Sequence, residues 1–153
     1  MDIFVMRHGE AESQLTRDRD RQLTERGYAD ASAMLKQALP DLEKVQKILV
    51  SPYNRALQTA DIAAELLPGR MLMTVEDLVP SANFMRLGAF IESLQLERVL
   101  VVSHQPLVGT FVDWLCGLEP GCYRMGTSSL AFIKTDIIAA GCGELQWLRQ
   151  PGA

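Results

Sequence analysis

At 153 residues the chain has the length of one domain with a workable core, and 48% hydrophobic residues speak against disorder. A net charge of −4, from 15 Lys+Arg against 19 Asp+Glu, argues against a protein that gains its affinity by neutralising nucleic-acid phosphates or through a basic membrane-binding face. No apolar run approaches the roughly 20 residues of a membrane span, and Met1-Asp2 lacks the basic and apolar regions of a signal peptide.

Ile3-Phe4-Val5-Met6 is a short continuous apolar run, the pattern of a strand covered on both faces. It delivers Arg7-His8-Gly9-Glu10 at its carboxyl end, where open α/β sheets place their ligands. Ala11 to Gln22, with Arg17-Asp18-Arg19-Asp20-Arg21, reads as a solvated loop; the functional alternative is that Arg17, Arg19 or Arg21 meets an anionic substrate surface. Thr24 is a plausible N-cap for a helix whose apolar positions are Ala31, Met34, Leu35, Ala38 and Leu39, ended by Pro40. Val45 to Val50 is a second strand. Ser51 is then expected to cap the next helix, with Pro52 at its first position and Arg55 in its first turn. Met71 to Val75 suggests a short strand, and Asn83 to Leu94 a helix interrupted by Gly88. Arg98 to Ser103 is the clearest strand, followed by His104-Gln105-Pro106 and a helix from Leu107 to Leu115. Ser129 to Thr135 and Glu144 to Arg149 close the chain as strands. Strands alternating with helices predict an α/β three-layer sandwich: a mainly parallel central sheet, helices on both faces and an edge open to antiparallel pairing.

The chain has two histidines, each just past the end of a strand. If those strands are parallel, His8 and His104 share one rim with Arg7, and Arg55 follows the second strand after four residues. Each residue alone has an ordinary structural explanation, and by spacing alone a catalytic and a structural reading are evenly matched. A metal site would need further ligands, and the neighbouring arginines would repel a divalent cation. Cys116, Cys122 and Cys142 are odd in number and lack a Cys-x-x-Cys pair, so they imply no disulfide framework or zinc site; a reducing cytoplasm is the simplest setting.

Arg7-His8-Gly9-Glu10, Leu23-Thr24-Glu25-Arg26-Gly27, Ser51-Pro52-Tyr53-Asn54-Arg55-Ala56-Leu57-Gln58-Thr59-Ala60 and Val102-Ser103-His104 resemble, in order, the signature of the histidine phosphatase (phosphoglycerate mutase-like) superfamily. Ser103-His104-Gln105-Pro106-Leu107-Val108-Gly109 is most similar to its small phosphohistidine phosphatases. The resemblance implies one histidine phosphatase domain over residues 1–153. His8 becomes the nucleophile, forming a phosphohistidine intermediate that water hydrolyses. Arg7 and Arg55 hold the phosphoryl oxygens as planar donor forks. His104 is a third phosphate donor, cationic when phosphate is bound. Gly9 and, at the rim, Arg21 are expected to assist substrate binding. No metal or cofactor is required. A backbone carbonyl at or near Gly9 would fix the His8 tautomer.

Two departures from the family pattern stand out. Where many members carry an asparagine phosphate ligand, the nearby residue is Gln14, and where many carry a glutamate acid, this chain has Leu78-Val79-Pro80. Proline cannot donate a proton; Glu76 and Asp77 are the neighbouring carboxyls. An imidazole leaving group, with a pKa of ~6.5, needs far less protonation than an alkoxide. The expected substrate is therefore a phosphohistidine, presented by a histidine-containing phosphotransfer protein to an open rim, with the enzyme a monomer. Two alternatives are a phosphatase for a small phosphomonoester, with Glu76 or Asp77 as acid, and a binding module without turnover.

Overall fold

The computed structural model describes residues 1–13 and 17–152, so Gln14, the residue near the family's asparagine position, lies outside the described residues. Six strands form one sheet: β1 (Asp2–Arg7), β2 (Lys47–Val50), β3 (Met71–Thr74), β4 (Arg98–Ser103), β5 (Leu130–Lys134) and β6 (Glu144–Arg149). Their spatial order is β3-β2-β4-β1-β5-β6. The first four are mutually parallel, whereas β5 runs antiparallel to β1 and β6 antiparallel to β5. The expected mainly parallel sheet with an antiparallel edge is what forms.

Side chains alternate across the strands, and this divides the core in two. Ile3 and Val5 face the layer of α3 (Phe84–Ser93) and α4 (Leu107–Leu115). Phe4 and Met6 face α1 (Glu25–Leu42) and α2 (Asn54–Leu66). All four are at most 1% exposed. Fully burying such side chains contributes roughly 1.5–3 kcal/mol each, so a one-residue slip of β1 would exchange two cores and is strongly disfavoured. Among the described residues, no helix is long and apolar enough to cross a membrane.

Some boundaries differ from expectation. The second strand starts at Lys47 and the fifth runs from Leu130 to Lys134, each shorter than the expected span. Helix α1 passes through Pro40 to Leu42. Proline so near the end removes one hydrogen bond, while Leu42, 1% exposed, anchors the final turn in the core. Thr24 does cap α1, its side chain accepting from the Gly27 amide at 3.0 Å. Ser51 does not cap α2: the helix begins at Asn54 with Tyr53 in the N-cap position. The Ser51 hydroxyl accepts from the Tyr53 amide at 3.2 Å, a local turn that precedes the helix. Gly88 does not break α3. A Cβ there would lie 3.0 Å from the Ile138 side chain and 3.4 Å from Trp114, so glycine makes room for Ile138, which packs on α3 from the β5–β6 connection.

Topology assembles the rim. The central strands β1 and β4 are neighbours, in register with Arg7 opposite Ser103. The next residue on each is a histidine, and the ladder continues with the His8 amide on the Ser103 carbonyl at 3.0 Å. Strand β2 flanks β4 on its other side with Val50 opposite Val102. The Ser51 amide extends that pairing to the Val102 carbonyl, which brings Ser51 alongside His104.

Candidate active site

The His8 and His104 rings meet with centroids 5.0 Å apart. His8 Nδ1 lies 2.7 Å from the Gly9 carbonyl oxygen. A carbonyl only accepts, so Nδ1 carries the proton and Nε2 keeps its lone pair. Arg55 Nε donates to that Nε2 at 3.2 Å. Burial pushes the His8 pKa down to about 3, against the opposing pull of the Gly9 carbonyl and with help from Arg55, Arg7 and Arg21. The ring is thus neutral at physiological pH, with its reactive nitrogen facing a guanidinium group.

Arg55 sits in the first turn of α2 and is 4% exposed. Its Nη1 donates to the Asp18 carbonyl at 2.7 Å, and Nη2 lies 3.3 Å from Asp18 Oδ2. The Tyr53 ring lies 5.2 Å from the guanidinium carbon. Arg7 Nη1 donates to the Met125 carbonyl at 3.0 Å. Arg7 Nε is buried and has no hydrogen-bond partner among the described residues. Burial, followed by the charge of Arg55, lowers the Arg7 pKa, yet an arginine remains cationic in any ordinary protein setting. Two guanidinium groups so close together favour an anion between them.

His104 is 1% exposed. Its Nε2 lies 2.7 Å from Ser51 Oγ, while Nδ1 is buried without a partner among the described residues. Burial, then His8, Arg55, Arg7 and Arg21, push its pKa down to about 2. Without a bound anion His104 is therefore neutral, unlike the cation expected of it in the phosphate complex. The Tyr53 ring meets it edge-on at 5.2 Å.

Gly9, a residue expected to assist substrate binding, holds the machinery together through its backbone: the carbonyl orients His8, and the amide donates to Thr59 Oγ1 at 3.0 Å. The Thr59 hydroxyl in turn donates to the Arg55 carbonyl at 2.8 Å. One buried side chain therefore links the nucleophile's loop to the arginine's helix. Gly9 and Gly27 also press together; a Cβ on Gly9 would stand 2.7 Å from the Gly27 carbonyl, and one on Gly27 only 2.1 Å from the Glu10 carbonyl. Gln58 Oε1 accepts from the Leu23 amide at 2.8 Å. Much of the resembling motif thus aligns the site through backbone contacts.

The charged loop is folded rather than simply solvated. Asp18–Asp20 forms a short 3₁₀ turn. Arg21 Nη1 donates to Asp18 Oδ1 at 3.0 Å and Nε to the Glu12 carbonyl at 2.7 Å. Arg21 thus joins the cluster through Asp18, and its charge acts on both imidazoles. Burial alone would raise the Asp18 carboxyl, but Arg21 and Arg55 outweigh it and hold the pKa below the ordinary value. Arg17 pairs with Asp20 at 3.0 Å on the exposed side, and Arg19 lies over Tyr53 at 5.8 Å. Glu76 is exposed and Asp77 half-buried; among the described residues neither hydrogen-bonds to the cluster. The segment they occupy is held at the rim by the Ser103 hydroxyl, which donates to the Leu78 carbonyl at 2.6 Å.

The structure brings the expected His8, Arg7, Arg55 and His104 together and adds roles that the sequence did not reveal for Ser51, Tyr53, Thr59 and Asp18. All four lie inside stretches already singled out, but the contacts that tie them into the site, Asp18 to Arg55, Thr59 to Gly9, and Tyr53 and Ser51 to His104, join residues far apart in the chain, and no local periodicity encodes them. Together the cluster can hold a tetrahedral oxyanion against a neutral, oriented ring nitrogen.

Comparison with known proteins agrees. The model of the histidine phosphatase superfamily (branch 1) matches residues 3–79. The phosphohistidine phosphatase SixA of Escherichia coli (strain K12) is 32% identical, over 99% of this chain and 94% of that protein. The phosphohistidine phosphatase SixA homolog of Haemophilus influenzae is 38% identical over 76% of this chain and 78% of its own. The solved structure of the protein histidine phosphatase SixA complexed with tungstate superposes with a TM-score of 0.88 at 31% identity, covering 99% of this chain and 97% of that one.

Proposed function

Because this chain belongs to the histidine phosphatase superfamily, we propose that it is a phosphohistidine phosphatase, one domain over residues 1–153, that hydrolyses an N-phosphohistidine on another protein. The observation that carries this reading is the His8 ring: Nδ1–H tied to the Gly9 carbonyl and the Nε2 lone pair set beside Arg55.

His8 Nε2 attacks phosphorus in line, forming an N–P bond as the N–P bond to the substrate imidazole breaks. The substrate ring, protonated on its other nitrogen, keeps the P–N electron pair and departs as neutral imidazole. Water then attacks the phospho-His8 phosphorus, releasing inorganic phosphate and restoring neutral His8. Arg7 and Arg55 face the charge on the equatorial oxygens throughout, the role a metal cation has in kinases. Arg55 Nε, already on the reacting nitrogen, shifts to a phosphoryl oxygen as the new bond forms.

The substrate class follows from the leaving-group side. An alkoxide needs a proton as its bond breaks, and the two carboxyls nearest in sequence, Glu76 and Asp77, make no hydrogen bond to the cluster among the described residues. Imidazole departs without that help. The half-buried Tyr53 and exposed Arg19 line the rim and suit a histidine offered by a folded, histidine-containing phosphotransfer (signalling) protein, with the phosphatase acting as a monomer. The deciding experiment exposes the enzyme briefly to a ³²P-phosphohistidine protein and quenches it. Label is expected on the wild type and absent from His8→Ala. Turnover of alkyl phosphate esters faster than that of the phosphohistidine protein would overturn the substrate assignment in favour of a small phosphomonoester.

A further inference from the structure

We propose that Ser51 is a positioning residue that donates its hydroxyl proton to His104 Nε2, so that His104 meets the phosphoryl group as a neutral ring with its proton on Nδ1. The inference rests on the phosphatase reading above, since it assigns the form in which His104 touches the anion.

The hydrogen-bond inventory of Ser51 leads to this assignment. Its oxygen already accepts from the Tyr53 amide at 3.2 Å, which leaves the hydroxyl proton to be donated elsewhere. The near partner is His104 Nε2, at 2.7 Å. A hydroxyl that donates there needs a lone pair on Nε2, and the single proton of a neutral imidazole must then sit on Nδ1. Nδ1 is also the one ring nitrogen left for a ligand, buried and without a partner among the described residues. The opposite tautomer would turn a lone pair toward the anion, and the two would repel.

The groups around the ring favour the neutral form over the imidazolium. From β1, Arg7 and His8 face it; from the start of α2, Arg55 and Tyr53; from the charged loop, Arg21, whose positive charge also reaches it. From the end of β2 comes only the uncharged Ser51, which is fully buried. A cation here would be desolvated beside three guanidinium groups. A neutral N–H avoids that cost and still donates. Both histidines then carry the same tautomer for opposite purposes. In His8 the Gly9 carbonyl frees Nε2 to attack; in His104 the Ser51 hydroxyl turns Nδ1–H toward the anion.

The test is ¹⁵N NMR of the two histidine rings with sulfate titrated between pH 6 and 8, where sulfate keeps its charge. In the wild type the His104 proton is expected on Nδ1, the Nδ1–H resonance is expected to move on sulfate binding, and the affinity should vary less than twofold over the pH range. In Ser51→Ala the ring loses its lock. Sulfate binding should weaken about 10-fold at pH 8 and recover as pH falls, because the anion must then recruit an imidazolium. A wild-type His104 with its proton on Nε2 overturns the proposal. So does sulfate affinity that rises tenfold per unit fall in pH, or a His104 resonance that ignores sulfate. The wild-type measurements decide even if Ser51→Ala fails to fold. Neither uses a phosphohistidine substrate, so failure here is distinct from failure to label His8.

Discussion

Replacing Thr59 with valine keeps the shape of a fully buried side chain and removes a single hydroxyl. That hydroxyl holds two segments: it accepts from the Gly9 amide at 3.0 Å and donates to the Arg55 carbonyl at 2.8 Å. The Arg55 carbonyl lies within α2 and keeps its helical partner, so its loss is small. The Gly9 amide is left buried and unpaired, which costs about 1–3 kcal/mol. A net destabilisation of about 2 kcal/mol is expected. For a domain of this length each kcal/mol moves Tm by roughly 2–4 °C, so Tm should fall by roughly 4–8 °C. Urea denaturation should show a lower midpoint with an unchanged slope. Activity reports the second half of the reasoning. The Gly9 carbonyl orients His8, so a loosened Gly9 should lower kcat by about 10-fold, equivalent to ~1.4 kcal/mol of transition-state stabilisation. Thr59→Ser retains the hydroxyl and should recover kcat while losing only the packing of a methyl group. A valine variant with wild-type midpoint and kcat would refute the linkage, as would a serine variant as impaired as valine.

Arg55→Lys should lower kcat by about 10² or more, because an ammonium group cannot keep the Nε contact to His8 and a planar fork for the phosphoryl group at once; steady-state kinetics on a phosphohistidine protein would show it, and a loss under tenfold would exclude a direct role. Stability should fall as pH drops from about 6.5 toward 3. In that window the unfolded histidines take up protons, whereas His8 and His104, with pKa values pushed down to about 3 and about 2, do not; each imidazole contributes up to ~1.4 kcal/mol per pH unit, and His8→Asn should flatten the dependence in acid-denaturation curves. For the same reason kcat/KM should show no decline centred on pH 6.5 from protonation of His8, measurable with a substrate stable at that pH. Gly27→Ala, whose Cβ would sit 2.1 Å from the Glu10 carbonyl, should destabilise by roughly 1–3 kcal/mol or more and lower activity too, whereas Gly69→Ala, with open space around its Cβ, should leave activity unchanged.

The four charged or titratable residues at the centre of the site were readable because each ends a strand, follows one directly or opens a helix just beyond one. Ile3 to Met6 and Val99 to Val102 announce their strands by composition, and a parallel sheet sends the ends of its strands to one rim. The family motifs supplied the roles. What the motifs did not supply was the reason for several of their own letters. Ser51 looks like a helix cap because serine before proline commonly is one; its hydroxyl is instead held by a histidine 53 positions later. Asp18 looks like one charge among alternating neighbours, yet its backbone and carboxylate both reach Arg55.

By itself the sequence determined the order of strands and helices, the two faces of each strand and the residue types delivered to the sheet's carboxyl edge. These follow from hydrophobic period and from short-range capping, which act within a few residues. The protonation state and tautomer of each imidazole, the partner of each arginine and the bridge through Thr59 were decided only by the tertiary structure. Those properties depend on burial and on contacts between segments up to 118 residues apart, and a low-dielectric neighbourhood exists only once the chain has closed around it.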